Sequence, residues 1–270
     1  MKNLFLSILI VGLVAVLLFG CTGGNNYGNP PTSPGTNTPP ATNPPQAQTP
    51  NSTTTPPPTP APGIDVKMST GGYLVDSKGM TLYFFTKDVD GTSACTGACL
   101  EKWPVFYAEN IKVSGLGSAD FGTITRSDGS RQTTYLGWPL YYYFQDKAPG
   151  DITGEGVGKV WYLAKEYTVT IADKLNMTYL VDGKGRTLYR YTHDSPGVRT
   201  CTGECLFTWP ALYSVSISVP SALNANDFGK VIDEETDTYK GMTLYYYADD
   251  TKRGETNGQG SGGIWYVVSP

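Results

Sequence analysis

Two cysteine pairs have the residue type and the spacing for redox or metal chemistry. Cys95 and Cys99 are separated by three residues, and Cys201 and Cys205 repeat that spacing. The sequence predicts one disulfide within each pair, because each copy of the motif carries its own two thiols. A redox-active dithiol is the alternative, and zinc binding would require the two pairs to come together. A c-type haem is disfavoured because leucine, not histidine, follows each second cysteine.

A tyrosine, a second aromatic residue and an aspartate recur in the order Y-x-[FY]-x-x-D at four places. A strand would place both rings on one face and the aspartate just past its end. The structural interpretation is a set of core aromatics followed by an aspartate that accepts turn amides. The functional interpretation is a platform of rings and carboxylates that binds sugar rings or a cation. The candidate binding residues are Tyr83, Phe85, Asp88, Tyr141, Tyr143, Asp146, Tyr189, Tyr191, Asp194, Tyr245, Tyr247 and Asp250.

No catalytic constellation accompanies these residues in the sequence. His193, the single histidine, takes the place that Lys87 has in the first copy, so general-base chemistry is not expected there. Residues 258–263 match G-x-G-x-x-G but precede a strand, which disfavours a nucleotide site. Asp88 and Asp90 resemble part of a calcium loop, but the second copy lacks the second acid. We therefore predict no enzymatic activity, no cofactor and no bound metal.

Short runs of β-branched and aromatic residues, bounded by Gly, Asp, Asn and Ser, predict strands as the elements that position these residues. Gly79 and Gly185 are predicted to supply a positive φ in two hairpins. Residues 141–144 are all aromatic and predict a central strand covered on both faces. Residues 189–191 alternate between aromatic and charged and predict a strand with one solvent-exposed face. The predicted fold is all-β, with two tandem pseudo-symmetric repeats of antiparallel hairpins, about six strands in each.

The chain after residue 63 is a duplication. Residues 73–104 align without a gap on residues 179–210, and the pattern G-x-[TP]-L-Y-x-[FY]-x-x-D occurs twice in each copy. The predicted repeats are residues 64–166 and 167–270. These motifs, with Cys-Thr-Gly-x-Cys and the Trp-Pro that follows it, resemble the secreted-repeat lipoproteins of bacteria and archaea. The resemblance also fits the leader and the stalk, and it implies no established biochemical activity.

The first 63 residues predict export and attachment to a membrane. Lys2 precedes an apolar run without charge that ends in Leu-Phe-Gly-Cys, which resembles a lipobox. We predict a lipoprotein signal peptide over residues 1–20 and lipidation of Cys21, which leaves an even number of cysteines. An ordinary N-terminal membrane anchor is the alternative. Residues 21–63 then form a lipidated, disordered Pro/Thr-rich stalk.

Charge and composition limit the classes of partner that we expect. The formal net charge is −4, which disfavours nucleic acid. Asn51 and Asn176 lie in N-glycosylation sequons. We predict an exported, lipid-anchored, non-enzymatic protein that faces the outside or the periplasm and displays a binding or structural module. The expected partners are the membrane and an envelope polysaccharide or a surface protein. An envelope redox or metal-binding protein that uses the two cysteine pairs is the alternative.

Overall fold

Short strands rich in aromatic and β-branched residues dominate the structure, a computed structural model that describes residues 63–231 and 235–270. In the described part of the first half, residues 64–166, the strands are β1 (Ile64–Met68), β2 (Leu74–Asp76), β3 (Tyr83–Phe85), β4 (Ile111–Ser114), β5 (Phe121–Thr125), β6 (Arg131–Tyr135), β7 (Trp138–Pro139) and β8 (Trp161–Leu163). In the described part of the second half, residues 167–270, the strands are β9 (Val169–Lys174), β10 (Met177–Asp182), β11 (Tyr189–Tyr191), β12 (Phe228–Lys230), β13 (Asp237–Tyr239), β14 (Met242–Thr243) and β15 (Trp265–Val267). Two four-residue helices, α1 (Cys99–Lys102) and α2 (Cys205–Thr208), begin at the second cysteine of each pair. None of the helices in the described ranges is long and apolar enough to cross a membrane.

The strands pair into small sheets that repeat from one half to the other. The first half contains the sheets β2-β1-β4, β3-β8 and β5-β6-β7, and their counterparts in the second half are β10-β9, β11-β15 and β12-β13-β14. All pairs are antiparallel except β1 and β4, which run parallel with Val66 opposite Val113. The predicted all-β fold with two pseudo-symmetric halves is confirmed. The described parts of the halves contain eight and seven strands where about six were expected, because several strands are only two or three residues long.

The predicted hairpin turns are present in both halves. Gly79 has a φ of 81° and Gly185 a φ of 80°, values that glycine adopts without the steric cost of a side chain. An aspartate at the end of the preceding strand stabilises each turn. Asp76 accepts hydrogen bonds from two turn amides at 2.9 Å, and Asp182 accepts two equivalent hydrogen bonds in the second half. Arg190 is exposed between Tyr189 and Tyr191, as the alternating pattern of that strand predicts.

The prediction of a central strand over residues 141–144 is wrong. Tyr141 forms isolated bridges to two neighbouring segments, and the chain then leaves the sheet. The amide of Tyr142 donates to the carbonyl of Pro104 at 2.8 Å. Pro104 has no amide hydrogen to return, so the ladder cannot continue along this partner.

A hydrophobic cluster joins the two halves. It contains Phe84 and Trp138 of the first half together with Tyr167, Tyr179 and Tyr245 of the second. The ring centroid of Phe84 lies 4.9 Å from that of Trp138 and 6.0 Å from that of Tyr167. Because these rings are buried against each other, the halves share part of their core within one compact unit.

Arg253 of the second half is inserted among backbone carbonyls from both halves. Its Nε donates to the carbonyl of Val89 at 3.0 Å, and its Nη1 donates to the carbonyls of Leu136 and Lys184. The guanidinium carbon lies 4.7 Å from the ring centroid of Trp138. Burial lowers the pKa of Arg253 to about 10, so the side chain stays charged at neutral pH. Arg253 thus binds the turns of both halves together.

Candidate functional site

The first tyrosine of each motif copy lies at the centre of its half. Tyr83 and Tyr141 exchange two backbone hydrogen bonds, at 2.8 and 2.9 Å, and Tyr189 and Tyr245 exchange two at 2.7 and 2.9 Å. All four side chains have 0% exposure. The two motif copies of a half therefore run side by side in opposite directions.

The motif aspartates pair crosswise with these tyrosines. Each phenol donates a hydrogen bond to the aspartate of the other copy in the same half, not to the aspartate of its own copy. The four hydroxyl–carboxylate pairs are Tyr83–Asp146 at 2.7 Å, Tyr141–Asp88 at 2.6 Å, Tyr189–Asp250 at 2.5 Å and Tyr245–Asp194 at 2.6 Å. The two copies within a half are thereby locked to each other.

Each motif aspartate also holds the loop that follows it. The amides that donate to these carboxylates are those of Ala94 to Asp88 at 2.7 Å, Thr153 to Asp146 at 2.9 Å, Thr200 to Asp194 at 2.7 Å and Asn257 to Asp250 at 2.9 Å. Burial raises the pKa of Asp88 to about 7, against the lowering effect of its hydrogen bonds, and burial also raises the pKa of Asp250. Burial, together with the neighbouring carboxylate, raises the pKa of the tyrosine in each pair.

The second aromatic residue of each motif copy belongs to a stack of four rings. In the first half the order is Phe85, Trp161, Trp103 and Tyr143, with successive centroid distances of 4.2, 3.8 and 4.3 Å. We call this stack the first-half column. Phe85 and Tyr143, at its ends, are 8% and 9% exposed. Both ends of the first-half column are therefore covered by protein.

The second half repeats this stack with different end residues. The order is Tyr191, Trp265, Trp209 and Tyr247, with successive centroid distances of 4.3, 3.9 and 4.4 Å. We call it the second-half column. Its two tryptophans are each 5% exposed, whereas Tyr191 and Tyr247 are half-buried. The two ends of the second-half column therefore reach solvent.

The disulfides lie beside the columns. Cys95 is bonded to Cys99 and Cys201 to Cys205, as the two local pairs predict, with a Cα–Cα distance of 5.4 Å in each. After each bridge comes a short helix, and a tryptophan amide at its end donates at 2.9 Å to the carbonyl of the second cysteine. Cys95 and Trp103 lie in the same hydrophobic cluster. Each disulfide therefore fixes the turn that delivers a tryptophan to its column.

The structure gives the glycine-rich loop of residues 258–263 a packing role. A side chain at Gly258 would place its Cβ 2.8 Å from the Trp209 ring and 3.0 Å from the Tyr189 ring. Gly154 lies in the same way against Tyr83 and a tryptophan in the first half. Glycine is required at both positions because the backbone passes directly over buried rings.

Most motif residues are buried, as core residues are. Nine of the twelve candidate binding residues are buried, and Tyr191, Tyr247 and Asp250 are half-buried. Asp90, from the stretch that resembles a calcium loop, accepts from Thr92 and forms an ion pair with Lys174 at 3.0 Å. Across residues 63–231 and 235–270, no group of three or more His, Cys, Asp or Glu side chains is gathered for a metal ion.

Other predicted site residues lie at the surface or outside the described ranges. Asn176 is exposed in the turn between β9 and β10. Cys21 and Asn51, with the signal peptide and the stalk, lie outside the described residues. Their predicted lipidation and glycosylation stay predictions.

The sequence reasoning missed the four tryptophans as members of the columns. A signal was present, because Trp-Pro follows each cysteine pair at the same spacing and Val-Trp-Tyr and Ile-Trp-Tyr recur near the end of each half. These segments are distant in sequence from the motif that they contact. Spacing along the chain therefore shows that they repeat but not that they stack on one another.

A cleft of about 410 Å³ opens in the second half, beside the segment that joins the halves. Tyr213, on its wall, is 56% exposed. The guanidinium of Arg186, also on the wall, lies 4.1 Å from the ring centroid of Tyr246 and donates to Asp182 at 2.8 Å. Arg186 also donates to the Tyr246 hydroxyl at 3.0 Å. The cleft thus combines an exposed ring with a hydrogen-bonded set of charged and hydroxyl groups, and sequence reasoning did not identify it.

The comparison with known families matches four segments of the chain, residues 66–107, 122–165, 176–213 and 237–269, to a secreted repeat of unknown function. Each segment contains one copy of the Y-x-[FY]-x-x-D motif, and together they cover more than half of the chain. No curated protein and no solved structure gives a significant match. The description of the family as secreted agrees with the prediction of export. Because the four matched segments coincide with the four copies of the motif, the chain belongs to this family of secreted repeats of unknown function.

Proposed function

We propose that the protein is a non-enzymatic surface module that is anchored by a lipid on Cys21, held away from the membrane by its Pro/Thr-rich segment, and binds an envelope polysaccharide. The secreted character of the family supports the export part of this proposal. The cysteine count supports the lipid, because two disulfides use four of the five cysteines and leave Cys21. The cleft at Tyr213 supports the binding part.

The single observation that supports polysaccharide binding is that the exposed ring of Tyr213 lines the same cleft as the polar groups of Arg186, Asp182 and Tyr246. Sugar rings offer an apolar C–H face to an aromatic ring and hydroxyl groups around their edge. Tyrosine supplies rigid apolar area with a polar tip, and a charged pair supplies strong donors and acceptors. Because Arg186 and Asp182 already hold each other, these groups are oriented before a ligand arrives.

Binding can be tested with the full chain in detergent on an array of bacterial and archaeal envelope glycans. We expect the wild-type chain to bind a subset of the polymers and Tyr213→Ala to lose that signal. Tyr107→Ala is the matched control, because Tyr107 has the position of Tyr213 in the first half and Arg131 covers its ring at 4.9 Å. Equal binding by both variants, or no binding by the wild type at any concentration reached, would contradict the polysaccharide site.

Anchoring can be tested separately with a labelled fatty acid supplied to cells that express the full chain. We expect label in the wild-type protein and none in Cys21→Ala, which should move from the membrane fraction to the medium. Two fatty chains or more give stable anchoring, since each buried methylene contributes about 0.8 kcal/mol. Label that persists in Cys21→Ala would exclude this cysteine as the attachment site.

A further inference from the structure

The second-half column connects two solvent-accessible phenols through two shielded indoles. Tyr191 and Tyr247 are half-buried, and Trp265 and Trp209 between them are each 5% exposed. Successive centroids are separated by 4.3, 3.9 and 4.4 Å, and each of the three contacts is stacked. Rings at such distances are in van der Waals contact, so their π systems overlap. Tyrosine and tryptophan are also the side chains whose aromatic rings give up one electron most readily.

Each end of this column carries a proton acceptor. The Tyr191 hydroxyl lies 3.1 Å from Nδ1 of His193 and donates to it when the imidazole proton is on Nε2. The Tyr247 hydroxyl donates to Oδ2 of Asp249 at 3.0 Å. Both separations lie within the reach of direct proton transfer, about 2.6–3.2 Å. A phenol that has lost an electron becomes a strong acid, so an adjacent acceptor makes its oxidation easier.

The first half has the same column without these features. At the matching positions Phe85 has no hydroxyl, Lys87 replaces the histidine, and Gln145 replaces the aspartate. The ring of Phe144 lies 5.2 Å from that of Tyr143, and the second half has alanine at the position of Phe144. A merely structural stack would not need an acceptor and an opening at both ends. The differences between the halves thus fall at the points where electrons and protons would enter and leave.

We propose that the second-half column is a one-electron relay that carries an oxidising equivalent between Tyr247 and Tyr191. This redox activity goes beyond the binding role proposed above. The column shares no residue with the polysaccharide cleft, and the relay does not depend on a ligand bound there. The oxidant is a nitrogen- or oxygen-centred radical in solution, and the donor that resets the relay is a hydroquinone. No bond between heavy atoms forms or breaks in the relay.

The electron and proton movements balance at each step. The radical takes one electron from Tyr247 and becomes an anion, while the phenolic proton of Tyr247 passes to Asp249. An electron then moves from Tyr191 through the two tryptophans to Tyr247, which recovers its proton. The phenolic proton of Tyr191 passes to Nδ1 of His193. The hydroquinone finally gives one electron to Tyr191, which recovers its proton from Nδ1 of His193. The hydroquinone releases one proton to solvent, where it balances the charge of the anion formed from the radical, and leaves as a semiquinone.

Pulse radiolysis of the full chain with azide radical, a nitrogen-centred one-electron oxidant, tests this relay. Azide radical oxidises tryptophan as well as tyrosine, so an oxidising equivalent placed on Trp209 or Trp265 enters the same column. We expect its indolyl radical absorption to convert to phenoxyl absorption at a rate that does not depend on protein concentration. The double variant Tyr191→Phe/Tyr247→Phe keeps all four rings and should lose this phase. Tyr143→Phe, in the first-half column, is the matched control and should retain it. Survival of the phase in the double variant, or its equal loss in the control, would overturn the relay.

A second pair of variants separates electron transfer from packing. Asp249→Asn and His193→Gln change exposed side chains and leave the column intact, so they should fold even if a column variant does not. We expect both to slow the conversion and the wild type to slow in deuterated water, because a proton moves with the electron. A purely structural role would leave all these rates unchanged, and that result would also overturn the proposal.

Discussion

A phenol that donates to a buried carboxylate replaces part of the hydration that the carboxylate loses on folding. Every copy of the motif supplies one such phenol and one such carboxylate, and each aspartate gains a loop amide as a second donor. This explains why tyrosine and aspartate recur together. The spacing of the motif indicates which residues recur, but the partner of each phenol lies 51–63 residues away, so the crossed pairs could not be predicted from local pattern.

Removal of one phenolic hydroxyl should be costly in the core. Tyr141→Phe keeps the ring and deprives Asp88 of its donor at 2.6 Å. At a pH above the value of about 7 to which burial raises the pKa of Asp88, this carboxylate is charged. We expect the free energy of unfolding to fall there by about 1.5–3 kcal/mol, the range for a hydrogen bond to a charged group. Urea unfolding followed by tryptophan fluorescence measures the change. In the control Tyr143→Phe the lost bond is to the amide oxygen of Gln145 at 3.2 Å, and a loss as large as that of Tyr141→Phe would argue against a special role for the carboxylate.

The buried carboxyl of Asp88 should make stability depend on pH. Burial raises its pKa to about 7, whereas an unfolded aspartate has a pKa of about 3.9. The folded protein therefore holds this proton more tightly, and the stability that it contributes is complete below about pH 3.9 and lost as the pH rises through about 7. We expect Asp88→Asn to remove this fall in unfolding free energy between about pH 4 and 7. Asp65→Asn, at an exposed position of β1, controls for the loss of one carboxylate, and identical pH profiles for the two variants would refute the assignment.

At the scale of elements, local chemistry predicted the turns and the short strands well. The hairpins at Gly79 and Gly185 and the strand that carries Tyr189 follow from glycine placement and alternation. Two elements could not be predicted in this way. The parallel pair of β1 and β4 joins segments more than 40 residues apart. The chain leaves the sheet after Tyr141 because the next residue, Tyr142, lies opposite Pro104, which has no amide hydrogen to donate.

Each disulfide should contribute modestly to stability, because it closes a very small ring. Loop entropy gives about 2 kcal/mol for a ring of about five residues. We expect Cys95→Ala together with Cys99→Ala to lower the free energy of unfolding by no more than this. The matching double variant at Cys201 and Cys205 should lose the same amount, since both bridges join cysteines with a sequence separation of 4. Failure of either double variant to fold would contradict this modest contribution.

At the scale of the whole molecule, the two halves are joined by a shared cluster and by Arg253. The duplication predicted two similar halves, but not how they pack. The residues that join them break the repeat: the first half has Pro149 at the position of Arg253. Pro149 packs against the hairpin glycine Gly79, as Arg253 packs against Gly185. A comparison of the two halves could thus have marked Arg253 as unusual, although not as a contact between them.

Loss of the Arg253 guanidinium should weaken the junction between the halves. Arg253→Met keeps the aliphatic stem and removes donors to three backbone carbonyls. We expect a loss of at least about 2 kcal/mol in unfolding free energy, because hydrogen bonds from a charged donor contribute about 1.5–3 kcal/mol each and do not add fully. Lys252→Met, at the exposed neighbouring position, should change stability little. If both variants unfolded at the same urea concentration as the wild type, the junction would not depend on this side chain.

The crossed phenol–carboxylate pairs also constrain how the number of motif copies can change during evolution. A lone copy of the motif would contain one tyrosine without its acceptor and one aspartate without its donor, both at core positions. The smallest heritable unit that satisfies its own hydrogen bonds is therefore two copies. We expect lineages of this family to gain and lose copies in steps of two, so that a census of their genes finds even numbers of repeats.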